Sequence, residues 1–166
     1  MKNLHYFIGT KKKPYHLSVG AVLLNKLGEI AVHHFPKGQK NPEFFILARR
    51  TLKPNQSLET ALARGLKEEF GMKGKPRFYL GSITSQFKNW QGANIQKTTV
   101  YFLCDLIPGK TSKATHLETL KGHFGKGSKI EWRKPAFLIR QMKRQAKVMK
   151  RGDFDESEII KKQLTF

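Results

Sequence analysis

Two adjacent carboxylates, Glu68 and Glu69, are the residues of this 166-residue chain best suited to chemistry. They stand in the run Arg64-Gly65-Leu66-Lys67-Glu68-Glu69-Phe70-Gly71-Met72. On a helix of about 3.6 residues per turn, neighbouring side chains are offset by about 100°, so both could reach one ion lying beside the helix. Magnesium suits such donors, because it takes hard oxygen ligands while keeping waters and substrate phosphates in its shell. A Lys-Glu-Glu run by itself is most often a solvated helix face. The pair gains meaning only from what positions it.

Ser57 and Gly71 bracket the run and predict a helix over 57–70, with Gly71 as its stop. Leu58, Ala61, Leu62, Gly65, Leu66 and Phe70 form its inward stripe. Upstream, residues 16–24 and 29–35 carry strand patterns around the turn Asn25-Lys26-Leu27-Gly28, which predicts a hairpin. Residues 36–42 read as a loop and 44–48 as a short apolar strand. Further strands are expected at 76–87 and 97–107, joined through Lys88-Asn89-Trp90-Gln91-Gly92, and the later one places Cys104 as a small buried thiol. Residues 110–129 read as a loop. A second helix runs from Pro135 to about residue 150, with Ile139, Met142, Ala146 and Met149 as its apolar face. A short third helix is expected at about 156–164. Strands around a mid-chain helix, with another helix late in the chain, predict an α+β domain layered α/β/α. Its divisions would be a basic arm over 1–14 ending in Lys11-Lys12-Lys13-Pro14, a domain over 15–150, and a short helical tail over 151–166.

The run resembles the Nudix box, G-x5-E-x7-R-E-U-x-E-E-x-G-U, where U is a bulky aliphatic residue. Aligned on Arg64, the chain keeps Leu66, Glu68, Glu69, Gly71 and Met72 in place, and Ser57-Leu58-Glu59-Thr60-Ala61-Leu62-Ala63 fills the seven-residue gap. The hairpin before the box and the strand at Glu131-Trp132 leading into the late helix agree with that family, so the resemblance covers roughly residues 15–150. It implies a mixed sheet sandwiched between helices. It also implies water attack on a diphosphate bond, in a nucleoside diphosphate derivative or at an RNA 5′ end, with Mg2+ or Mn2+ held by Glu68 and Glu69 and oriented by Arg64 as a buried clamp.

Three box positions depart from the pattern. Arg50 stands for the opening glycine, Gln56 for the first glutamate, and Gly65 for the glutamate after the arginine. The resemblance implies that this last carboxylate shares a helix face with the Glu-Glu pair, three and four residues away. Glycine cannot ligate, and inside a helix it costs about 1 kcal/mol relative to alanine. Glu118 is the replacement carboxylate best placed by chain order; Glu59 is too far along the axis, and Glu131 belongs to a structural strand. The alternative is a catalytically impaired protein of the same fold that binds RNA or a nucleotide through its basic surface.

Arg49, Arg50 and Lys53 sit where the chain enters the box and are candidate phosphate ligands, since a guanidinium can grip phosphate with two parallel bonds. Trp90 could stack on a base, although a loop tryptophan is more often a packing anchor. His33-His34 lacks a third ligand at metal spacing and reads as structural. The late helix presents Arg140, Lys143, Arg144, Lys147 and Arg151 as a face for RNA phosphates or an anionic membrane surface, with no acid between Arg133 and Arg151.

Composition bounds these readings. The chain carries 32 Lys plus Arg against 12 Asp plus Glu, and residues 1–150 hold 29 of the former and 8 of the latter. Such charge favours polyanionic partners, or else reflects a lysine-rich proteome. A single cysteine excludes a disulfide framework and a Cys-based zinc site. No apolar run reaches the roughly 18 residues of a membrane span, and the first residues lack a signal-peptide pattern. A soluble protein of the cytoplasm is expected.

Overall fold

The Val- and Leu-rich stretch Tyr15–Leu24 forms β1, buried on both faces from Ser18 to Leu23, as befits a strand covered by helices on each side. The structure, a computed structural model, describes residues 15–38, 42–88, 92–124 and 127–165, without the side chains of residues 118, 120 and 122–124. The basic arm over 1–14 and Trp90 therefore lie outside the described residues. After β1, the Asn25 carboxamide accepts from the Leu27 and Glu29 amides, each at 2.9 Å, and closes the expected hairpin onto β2, Ile30–Phe35.

The remaining strands are β3 (Phe44–Ile46), β4 (Ala48–Thr51), β5 (Lys73–Lys88), β6 (Asn94–Ile107) and β7 (Lys129–Arg133). They join one sheet in the order β3-β2-β1-β6-β5, with β4 also on β1 and β7 also on β2. β1 and β6 run parallel from Tyr15↔Gln96 to Leu24↔Asp105, and the other pairs are antiparallel. The sheet is mixed, as expected. Helix α1 (Leu58–Phe70) covers one face through Ala61, Leu62, Leu66 and Phe70, which meet Val19, Ala21 and Leu23. Helices α3 (Pro135–Met149) and α4 (Ser157–Gln163) cover the other through Leu138, Met142, Ile159 and Ile160. The α/β/α layering follows from these two apolar clusters.

Four local expectations need correction. The loop over 110–129 contains a helix, α2 (Thr115–Phe124), which packs beside α1. Its weak amphipathy hides it in the sequence, and tertiary docking forms it: Ser112 donates its amide to the Gly71 carbonyl at 2.8 Å. The strand over 44–48 is broken at Leu47, whose amide donates to the Glu156 carboxylate at 2.8 Å instead of to a neighbouring strand. On α3, Leu138 and Gln145 join the expected Met142 as the most buried positions, while Ile139, Ala146 and Met149 pack half-buried against the core. On α1, Leu58 is 36% exposed and does not join the inward stripe.

The stretch expected as a tail packs into the core. A 3-10 turn, Gly152–Phe154, and α4 bury Phe154, Ile159 and Ile160. Gln145 accepts from the Phe45 amide at 2.8 Å and donates to the carbonyls of Phe45 and Phe154. Glu156, fully buried, accepts from the Tyr101 hydroxyl at 2.5 Å and lies 3.6 Å from Arg49. Burial, and then the Glu156 carboxylate, push the Tyr101 phenol well above its ordinary value, so it remains a donor. The Tyr101 ring occupies the space beside Gly20, where an added Cβ would come within 2.5 Å.

Cys104 is fully buried, and burial with Asp105 nearby pushes its thiol up to about 12. Because the thiolate is the reactive form, a thiol reagent at pH 8 should leave the folded chain unlabelled and modify it fully in denaturant. Rapid stoichiometric labelling of native protein would contradict this burial.

Candidate functional site

Helix α1 is fixed at both ends before it presents any chemistry. The Ser57 hydroxyl accepts from the Thr60 amide at 3.1 Å, and Gly71 closes the helix in the left-handed region at φ 66°, where glycine is favoured. An added Cβ at Gly71 would lie 1.9 Å from the Ser112 carbonyl oxygen. Arg64 ties the first half of the helix to the sheet: Nη2 donates to the Thr51 carbonyl at 2.8 Å and to Gln56 Oε1 at 2.9 Å. Its Nη1 donates to Glu68 Oε2 at 3.1 Å, one helical turn away. Gln56 thus accepts from Arg64 where the box pattern has a carboxylate.

Glu69 turns inward and is 3% exposed, whereas the Glu68 side chain is about a quarter exposed. His33 Nε2 lies 2.8 Å from Glu69 Oε2, and its Nδ1 has no hydrogen-bond partner among the described residues. Glu69 is therefore the one hydrogen-bond partner of the ring among the described residues, and the Phe70 ring packs 4.9 Å from it. His116, brought in by α2, places Nε2 3.6 Å from Glu69 Oε1. Burial outweighs the pull of Glu69 and holds His116 below the ordinary histidine value, which favours its neutral form.

Arg50 spans both carboxylates. Its Nε lies 2.7 Å from Glu68 Oε2 and its Nη1 lies 3.5 Å from Glu69 Oε1. The stem passes over residue 65, where an added Cβ would come within 3.2 Å of the Arg50 Cβ. Two departures from the box are therefore one local arrangement: the missing side chain at Gly65 makes room for the one at Arg50.

The donor set fits a divalent ion that shares its shell with a phosphorylated ligand. Glu68 and Glu69 are hard oxygen donors at one end of α1, and magnesium commonly binds through one or two carboxylates plus waters and phosphate oxygens. Residue 65 contributes no donor, and among the described residues no group of three or more His, Cys, Asp or Glu is arranged to hold a metal. Waters and the ligand would supply the rest of the shell.

The other expected site residues are scattered. Arg49 and Arg50 are neighbours on β4 and so point to opposite faces. Arg49 donates to the Asp153 carbonyl at 2.8 Å and faces Glu156, so the two guanidiniums do not form one phosphate cradle. Lys53 is exposed on the turn before α1. The Glu118 backbone lies in α2, but its side chain falls outside the described residues, as does Trp90. On α3, Arg140, Lys143, Arg144 and Lys147 are exposed. Lys143 lies 3.3 Å from Glu158. Arg151 is committed to Asp153 at 2.7 Å and stacks over Phe87 and Phe154. His33 and His116 are not legible in the sequence as partners of Glu69, because no local spacing links them to it.

No protein-family model matches this sequence, and no curated protein does. Solved structures do. A NUDIX hydrolase from Nitrosomonas europaea is 15% identical and aligns over 90% of this chain and 88% of its own, with a TM-score of 0.55. A MutT protein from Methanosarcina mazei Go1 is 19% identical, over 90% and 96%, with a TM-score of 0.54. The E. coli ORF135 protein is 15% identical, over 91% and 89%, with a TM-score of 0.51. The chain has the fold of the Nudix hydrolases. No helix of the described residues is long and apolar enough to cross a membrane.

Proposed function

We propose that this chain is a divergent Nudix-type pyrophosphohydrolase, acting on a diphosphate bond in a nucleoside diphosphate derivative or at an RNA 5′ end with Mg2+ or Mn2+. One observation carries the reading: α1 presents Glu68 and Glu69 together, with Arg64 clamping that helix to the Thr51 carbonyl and Gln56. When bound, a divalent ion supplies charge neutralisation on phosphoryl oxygens and an activated water. The chain supplies orientation. His33 holds one oxygen of Glu69, Arg64 holds Glu68, and Arg50 offers a planar fork matched to phosphate. Glu118 is the carboxylate proposed to add to the pair, on the helix that brings His116 to Glu69.

The test is phosphate or pyrophosphate release from nucleoside triphosphates, dinucleoside polyphosphates, sugar nucleotides and 5′-triphosphate RNA. Metal-dependent release from one class is expected, and none without the metal. Release that persists in chelator would sink the reading.

A second reading, RNA binding without turnover, is favoured by Arg140, Arg144 and Lys147. All three are exposed on α3 and make no ion pair among the described residues. Replacing them with glutamate should weaken single-stranded RNA binding and flatten its log–log salt slope by about 2, at about 0.7 for each phosphate no longer neutralised. An unchanged slope would remove α3 from consideration.

A further inference from the structure

We infer that Arg50 makes metal binding and phosphate binding at this site mutually dependent. Its guanidinium holds Glu68 and Glu69 in the free protein and must turn to a ligand's phosphate before a divalent ion can take the pair. The inference rests on the reading of Glu68 and Glu69 as metal ligands.

The argument is electrostatic and steric. Two carboxylates face two guanidiniums, Arg50 and Arg64, so the free cluster is balanced. A dication entering alone would stand beside Arg50 and compete with it for Glu68 Oε2 and Glu69 Oε1. A dication arriving with a diphosphate meets a different balance, because the phosphate offers Arg50 a bidentate partner as the carboxylates are released. Arg64 cannot make this exchange, since its Nη2 is fixed by a carbonyl and Gln56. Arg50 can: its side chain is 28% exposed, and its guanidinium is held by the two carboxylates. The bare backbone at residue 65 favours this placement, because a side chain there would press on the Arg50 stem at 3.2 Å.

Coupling of this kind is reciprocal: if phosphate raises metal affinity by some factor, metal raises phosphate affinity by the same factor. The measurement is Mn2+ binding to the full chain, by electron paramagnetic resonance for the metal alone. With methylenediphosphonate, proton relaxation enhancement is read against the same solution without protein. Wild type should bind Mn2+ alone about fivefold more weakly than Arg50→Ala, and methylenediphosphonate should enhance metal binding in wild type far more than in the variant. Adding Glu69→Gln to Arg50→Ala should abolish the gain. Arg50→Lys keeps the charge but loses the fork, so it should show a smaller gain, and it carries the test if Arg50→Ala does not fold.

Equal Mn2+ affinity in wild type and the Arg50 variants would overturn the coupling while leaving the metal site standing. A gain that survives Glu69→Gln would place the metal elsewhere and overturn it as well. Folded proteins that bind no Mn2+ under any of these conditions would overturn both the coupling and the hydrolase reading.

Discussion

Glu69→Gln is expected to cut metal-dependent release from the preferred substrate by about 10²- to 10⁴-fold, the range lost when a positioned acid–base or ligand group is removed. Glutamine keeps the shape of the side chain and can still hydrogen-bond to His33, so the helical circular-dichroism signal and the melting transition should persist. The loss should fall on the rate and, through the weakened metal, also on ligand affinity, because Glu69 is a partner of Arg50 and metal and phosphate binding are coupled here. Glu68→Gln should act in the same direction but more weakly, since Glu68 is the more exposed of the two and is shared between both guanidiniums. Turnover that survives Glu69→Gln unchanged would mean the pair is a structural ion cluster.

Glu156→Ala is expected to cost about 3–5 kcal/mol of folding stability, the usual loss when one member of a buried charge network is deleted. The substitution strands three groups at once: the Leu47 amide, the Tyr101 hydroxyl and the Arg49 guanidinium, which is left charged and nearly enclosed. Against a total of about 5–15 kcal/mol for a domain, that is a large share. Urea denaturation followed by circular dichroism should show a midpoint shift with little change in slope. Glu156→Gln should cost less, because its amide oxygen can still accept from Leu47 or Tyr101 while the charge facing Arg49 is lost. A midpoint unmoved by Glu156→Ala would show that water replaces the carboxylate, contrary to its complete burial.

What could be read from the chain was local. Ser57, Gly71 and the stripe through Leu66 mark α1 by rules that act within a few residues, and the turn at Asn25 marks the first hairpin in the same way. The apolar pattern on each side of these elements was enough to expect a layered sheet. What could not be read depends on partners far apart. The break at Leu47 exists because Glu156, 109 residues later, takes its amide. α2 forms against α1 with little amphipathy of its own. Within the site, Arg64 was legible because its box position is intact. His33 was not, since 36 residues separate it from Glu69. The opposed directions of Arg49 and Arg50 were within reach, because strand alternation separates neighbours. The pairing of Arg50 with Gly65 is a contact between β4 and α1, and in sequence the two look like separate losses.

The Glu156 link also sets a schedule for synthesis. At roughly 5–20 residues per second, the 109 residues between Leu47 and Glu156 take about 5–20 s to make. During that interval β3 and β4 have left the ribosome without the groups that complete them. The nascent chain therefore carries a sheet with one face incompletely covered until Glu156 and α4 join α3 on it, and a chaperone binding exposed strands would have its longest opportunity then.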